Sequence, residues 1–229
     1  MKKQVGWGLL CLTLLLSSCA VPREIETEAP VMTNIVPTSE RTAVPISPEF
    51  DFACDAVFFG DSITADGNFD ELFPTLQIVN LGVYGDTLED LLARVGEVRQ
   101  ANPERIFLLG GINCLRPDNG DLCLEQYANL LDALQNACPK ALICVQSVLP
   151  VAAEIDRDGL ENVAVREFNA ALTSLAKERG CFFADLYAAY EKNGALNPEL
   201  TRDGLHLNFN AYGPWADIVR PILTVPHDD

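Results

Sequence analysis

Five short apolar runs, separated by stretches of helical periodicity, constrain this 229-residue chain more than any other feature. Ala56 to Phe59, Ile78 to Leu81, Ile106 to Leu109, Leu142 to Val148 and Cys181 to Leu186 have strand length and are mostly continuous, as strands covered on both faces should be. Between them, Leu88, Leu91, Leu92, Val95 and Val98 fall at helical spacing behind Asp86 and Thr87 as caps. Tyr127, Leu130, Leu131 and Leu134 repeat the pattern, and so do Phe168, Leu172 and Leu175 ahead of Gly180, a helix stop. A last helix begins near Asn208 or Asn210, with Pro214 in its first turn or kinking it. This alternation predicts an α/β fold of three layers around a parallel sheet. Ligands of such sheets bind beyond the carboxyl ends of the strands. A site therefore belongs after Phe59, Leu81 and Leu109 and in the loop before the last helix.

Composition excludes several classes. At 48% hydrophobic residues the chain can build a core, so it is not wholly disordered. Its formal charge of -17 repels phosphates and argues against nucleic acid as a partner.

The amino end reads as an export signal. Lys2 and Lys3 precede a twelve-residue apolar run, Val5 to Leu16, which is short of the roughly 20 residues that span a bilayer. Leu16-Ser17-Ser18-Cys19 followed by Ala20 resembles the lipobox of bacterial lipoproteins. That resemblance implies a signal peptide over residues 1–18, cleavage before Cys19 and acylation of its thiol. The alternative is an ordinary signal peptide with an incidental cysteine. Loss of Lys2 and Lys3 takes the charge from -17 to -19, so no polybasic segment remains and contact with the membrane must be through the lipid. Residues 19–50, with five prolines and no glycine, read as a lipid-anchored tether on the extracytoplasmic face. Residues 51–225 are expected to form the folded domain and 226–229 a tail.

Six cysteines follow Cys19, at positions 54, 114, 123, 138, 144 and 181, with no Cys-x-x-Cys and no nearby histidine, so a zinc site is not expected. Disulfides are permitted in an exported chain. Cys114 with Cys123 and Cys138 with Cys181 are two conceivable pairs among 15, and buried free thiols are the equal alternative.

Four segments at the predicted strand ends carry reactive or donating groups. Gly60-Asp61-Ser62-Ile63-Thr64 places a serine where a strand meets a helix, suited to a nucleophile and to helix capping alike. Its context is not the Gly-x-Ser-x-Gly nucleophile elbow. Gly85, in Gly82-Val83-Tyr84-Gly85-Asp86, offers a backbone amide without a side chain to obstruct it. Asn113, after Gly110-Gly111-Ile112, offers a neutral amide donor. Asp203-Gly204-Leu205-His206 brings a carboxylate within three residues of an imidazole, the pairing that orients a general base. Each segment also has a plain reading as a cap or turn.

In this order the four segments resemble the blocks of the SGNH hydrolase family, the GDSL esterases and lipases, matched here by Ser62, Gly85, Asn113 and His206 with Asp203. The resemblance implies a flavodoxin-like fold with strand order 2-1-3-4-5 and a serine ester hydrolase needing no metal or cofactor. It further implies a Ser62, Asp203, His206 triad and an oxyanion hole from the amides of Ser62 and Gly85 and the side chain of Asn113. The expected substrate is a short-chain acyl or O-acetyl ester, free or linked to carbohydrate, and the expected state is a monomer. A thioesterase or lysophospholipase with the same machinery and a longer acyl pocket is the alternative within enzymes. Segments 115–123 and 150–162 are positioned to wall that pocket. A non-catalytic binding lipoprotein is the alternative outside them. One departure is Cys114, standing where the family commonly has aspartate, which puts the support of the Asn113 loop in question.

Overall fold

The structure, a computed structural model, describes residues 52–155 and 158–226. The signal, the Cys19 anchor and the tether fall outside the described residues, as do residues 227–229. Five parallel strands, β1 (Cys54–Gly60), β2 (Ile78–Gly82), β3 (Pro103–Leu109), β4 (Leu142–Gln146) and β5 (Phe182–Ala184), lie in the order β2-β1-β3-β4-β5. This is the order implied by the resemblance. The connections contain α1 (Ser62–Ala65), α2 (Phe69–Leu72), α3 (Leu88–Ala93), α4 (Val95–Ala101), α5 (Gly120–Ala137), α6 (Asn162–Glu178) and α7 (Tyr187–Tyr190). A small hairpin of β6 (Glu191–Lys192) and β7 (Ala195–Leu196) and a 3-10 turn, Phe209–Ala211, precede α8 (Gly213–Leu223).

Successive residues of β1 explain why both faces of the sheet are covered. Side chains alternate along a strand. Phe58 stacks on Phe69 of α2 with centroids 3.7 Å apart and also meets Phe107 of β3. The ring of Phe69 in turn meets Trp215 of α8 edge-on. Phe59, one residue later, instead lies under the Arg94 guanidinium, 5.1 Å from its centroid, beside α3 and α4. Both phenylalanines are fully buried. Truncating either to alanine is worth about 3 to 5 kcal/mol on the scale of other large-to-small core changes.

The pattern from Leu88 to Val98, read as one helix, is broken at Arg94. Arg94 leaves helical geometry at φ -101° and ψ 8°, and its guanidinium turns back to Asp86 Oδ2 at 2.6 Å and the Leu81 carbonyl at 3.1 Å. The start of α3 is as expected, with Thr87 and Asp90 forming a reciprocal capping box. Helix α6 stops as expected, Gly180 taking φ +66°. Pro214 sits in the first turn of α8. Arg105, buried in β3, has no counterpart in the sequence reading. Its guanidinium donates to the carbonyls of Ile222 and Val225 at the end of α8, which gives a buried charge the acceptors it requires.

None of the six described cysteines is in a disulfide. Neither conceivable pair is formed, and these six are free thiols, with Cys114 and Cys138 only partly buried.

Candidate active site

The carboxyl edge of the sheet gathers the four segments. β1 ends at Gly60, where a Cβ would stand 2.3 Å from the Leu109 carbonyl oxygen, so only glycine allows β1 and β3 to deliver their loops side by side. Asp61 then caps α1, its side chain accepting from the Ile63 amide at 2.9 Å. Ser62 becomes the first residue of that helix, where the amide has no intrahelical acceptor.

Ser62 Oγ lies 2.9 Å from Nε2 of His206, which arrives from the loop before α8. His206 Nδ1 lies 2.7 Å from Asp203 Oδ2, and Asp203 Oδ1 accepts from the amides of Leu205 and His206. Burial alone would push the Asp203 carboxyl up. The hydrogen bonds from the His206 amide and imidazole and from the Leu205 amide outweigh it and hold the group down to about 2. An ionised carboxylate only accepts hydrogen bonds, so Nδ1 carries the imidazole hydrogen and Nε2 faces Ser62 as an acceptor.

The other two segments stand beside this chain. Gly85 has φ +83°, a conformation that side-chain-bearing residues adopt at a cost, and a Cβ there would meet nothing within 4 Å. Its position therefore combines an open approach with a backbone only glycine adopts freely. Asn113 Nδ2 donates to the Asp86 carbonyl at 2.9 Å, tying the loop after β3 to the loop after β2. Asp86 is itself held by Arg94. Cys114 does not leave the Asn113 loop unsupported: its amide and thiol both donate to the Gly111 carbonyl, and Asn119 Nδ2 donates to the Cys114 carbonyl at 2.8 Å.

Segment 150–162 reaches the site through its backbone. The Ala152 amide donates to the Gly204 carbonyl at 2.8 Å, next to Asp203. Asn162 and Asn169, on α6, each make a two-way bond with the main chain after β4, at Val151 and Val148 respectively. The segment also lines a groove of about 350 Å³ with Arg166 and the β6–β7 turn.

Asp66, Tyr84 and Arg202, which no sequence motif marks, form a linked set next to His206, and each stands within four residues of Ser62, Gly85 or Asp203. Among the described residues no group of three His, Cys, Asp or Glu side chains is placed to hold a metal ion. Nor is any helix there long and apolar enough to cross a membrane.

A doubly wound parallel sheet with a Ser, Gly, Asn and His set along its carboxyl edge defines the SGNH class of α/β proteins. The profile of the GDSL-like lipase/acylhydrolase family matches residues 58–213, and the chain belongs to that family. Solved structures agree. A GDSL-like lipase from Bacteroides thetaiotaomicron is 25% identical, with a TM-score of 0.62 over 73% of this chain and 86% of its own. A Streptococcus pneumonia protein provisionally described as a platelet activating factor is 26% identical, with a TM-score of 0.66 over 74% and 83%. The acetyl xylan esterase AlAXEase, at 21% identity, shares the fold with a TM-score of 0.61 over 73% of this chain and 98% of its own. No protein of curated function matches the sequence.

Proposed function

We propose that this chain is a serine ester hydrolase acting on short-chain acyl esters, above all O-acetyl groups carried on carbohydrate, and that it works outside the cytoplasm tethered through an acylated Cys19. The observation that carries the chemistry is the unbroken chain from Ser62 Oγ through the His206 imidazole to Asp203 Oδ2, with links of 2.9 and 2.7 Å.

In the first half-reaction Ser62 Oγ attacks the ester carbonyl carbon while His206 Nε2 takes the hydroxyl proton, and Asp203 stabilises the imidazolium. The carbonyl oxygen, now negative, accepts from the amides of Ser62 and Gly85 and from Asn113 Nδ2. Collapse of the adduct breaks the bond to the alkoxy oxygen, which leaves with the proton from Nε2. Water then attacks the acyl-serine, giving its proton to Nε2, and Ser62 leaves protonated with release of the acid.

Two observations favour a sugar ester. The acetyl xylan esterase AlAXEase shares the fold. The Tyr84 ring, 62% exposed and 6.4 Å from the His206 ring, offers the kind of flat amphipathic face that stacks on a sugar.

Hydrolysis of a chromogenic acetate ester by the wild type and by Ser62→Ala tests the chemistry. The variant is expected to fold and to lose turnover and fluorophosphonate labelling. Undiminished turnover rejects the assignment, and a wild type inert to the probe returns the chain to a binding role. Acetylated sugars set against twelve-carbon esters test the substrate class. Preference for the long chain replaces it with the lysophospholipase reading.

A further inference from the structure

The triad geometry depends on two loops that are distant in sequence meeting at a fixed spacing. Ser62 rides on α1, and the Asp66 amide that closes this helix donates to the Ser62 carbonyl at 3.1 Å. Asp203 and His206 ride on a loop whose inner shape is set locally. Thr201 Oγ1 donates to the His206 carbonyl at 2.7 Å, and the Arg202 amide donates to the same carbonyl at 3.1 Å.

One carboxylate spans the gap. Asp66, whose side chain is only 3% exposed, accepts from Arg202 Nη2 on Oδ2 at 2.6 Å and from the Tyr84 hydroxyl on Oδ1. Arg202 immediately precedes Asp203, with Nε 3.9 Å from Asp203 Oδ2, and its guanidinium lies 5.5 Å from the Phe209 ring centroid. Tyr84 immediately precedes Gly85. A single buried group thus touches the nucleophile helix, the loop of the base and the loop of the oxyanion donor. The Asp66 carboxylate also raises both the Tyr84 hydroxyl and the Arg202 guanidinium, so both stay protonated as donors to it.

We propose that Asp66, Arg202 and Tyr84 are positioning residues, Asp66 being the hub that sets the Ser62 to His206 distance and brings the Gly85 amide into place. This rests on the serine esterase reading given above. None of the three needs to touch the reacting atoms. Their effect is geometric, and a displacement of about 1 Å at a catalytic contact costs on the order of 10²-fold in rate. Folding has other supports at this junction, since Tyr212 donates to the Ile63 carbonyl at 2.7 Å and Ala152 to the Gly204 carbonyl at 2.8 Å. The ion pair therefore acts on alignment more than on assembly.

The test compares wild type with Asp66→Asn, Arg202→Met, Arg202→Lys, Tyr84→Phe and the Asp66→Asn/Arg202→Met double variant. The readouts are kcat and KM on a chromogenic acetate, fluorophosphonate labelling rate and thermal midpoint. Arg202→Met is expected to lower kcat about 10- to 100-fold with KM within about threefold, and to slow labelling by the same factor. Arg202→Lys is expected to recover part of that loss. The double variant is expected to be no worse than the poorer single one, because both remove one contact. Tyr84→Phe, which deletes only an oxygen at the surface, keeps the proposal testable if Asp66→Asn fails to fold, and is expected to lower kcat about 3- to 10-fold. Folded variants that label and turn over like wild type, or a double variant showing the product of the single losses, overturn the hub. A wild type that neither turns over nor labels overturns instead the esterase reading on which it rests.

Discussion

His206 Nε2 stands 2.9 Å from Ser62 Oγ although 144 positions separate the two residues in the chain. Nothing local to either residue imposes that distance. It follows from β1 delivering Ser62 to the sheet edge and from the loop before α8 folding back over α1.

The direction of pH dependence follows from Asp203. Its folded value of about 2 lies below the ordinary aspartate value of about 3.9, so its charged form favours the folded state. That contribution is fully present above about pH 4 and is lost as pH falls towards 2. Asp203 is thus ionised throughout the working range and cannot produce an acid limb there. We expect Asp203→Asn to lower kcat/KM for an acetate ester at every pH above about 4, because the carboxylate that orients His206 is charged across that whole range. An Asp203→Asn variant with wild-type kcat/KM would remove that carboxylate from the proposed chain.

Asn113→Ala removes the proposed side-chain donor and also the bond to the Asp86 carbonyl. Turnover is expected to fall about 10² to 10³-fold, the usual effect of losing one oxyanion donor. Gly85→Ala leaves room for the methyl group and forces alanine into φ +83°. Its measured thermal midpoint should drop, at a cost of about 1 to 2 kcal/mol. An Asn113→Ala variant with wild-type kcat would remove that residue from the proposed hole.

The thiols should differ in reactivity. Hydrogen bonding from Cys123 lowers the Cys114 thiol and raises that of Cys123, while burial pushes Cys181 up to about 12 and Cys144 well up. Reactivity follows the thiolate. Iodoacetamide at neutral pH is expected to modify Cys114 first, with Cys144 and Cys181 labelled only after unfolding, as read by peptide mass spectrometry. Equal labelling of all three in the folded protein would contradict the structure.

The proposed anchor has its own test. Cys19→Ala should shift the protein from the membrane fraction of a bacterial host to the soluble fraction, because two acyl chains hold where none can. Mass spectrometry of the wild-type amino-terminal peptide should show the diacylglyceryl adduct, and an unmodified Cys19 would refute it.

Strand positions were legible because burial on both faces demands continuous apolar runs, as at Phe58-Phe59 and Ile106 to Leu109. Strand ends were less so. β3 begins at Pro103 and β4 stops at Gln146, where pairing rather than hydropathy decides. Ser62, Gly85, Asn113, Asp203 and His206 could be named because the fold class says which side of the sheet binds ligands, and each lies in one of those loops. Only the tertiary structure decided that Arg94 breaks a helix, that six cysteines stay unpaired, and that Asp66 meets Arg202 across 136 positions. The physical reason is one of range. Periodicity and turn chemistry act over a few neighbours, whereas a contact between remote side chains exists only after packing has fixed where two backbones pass.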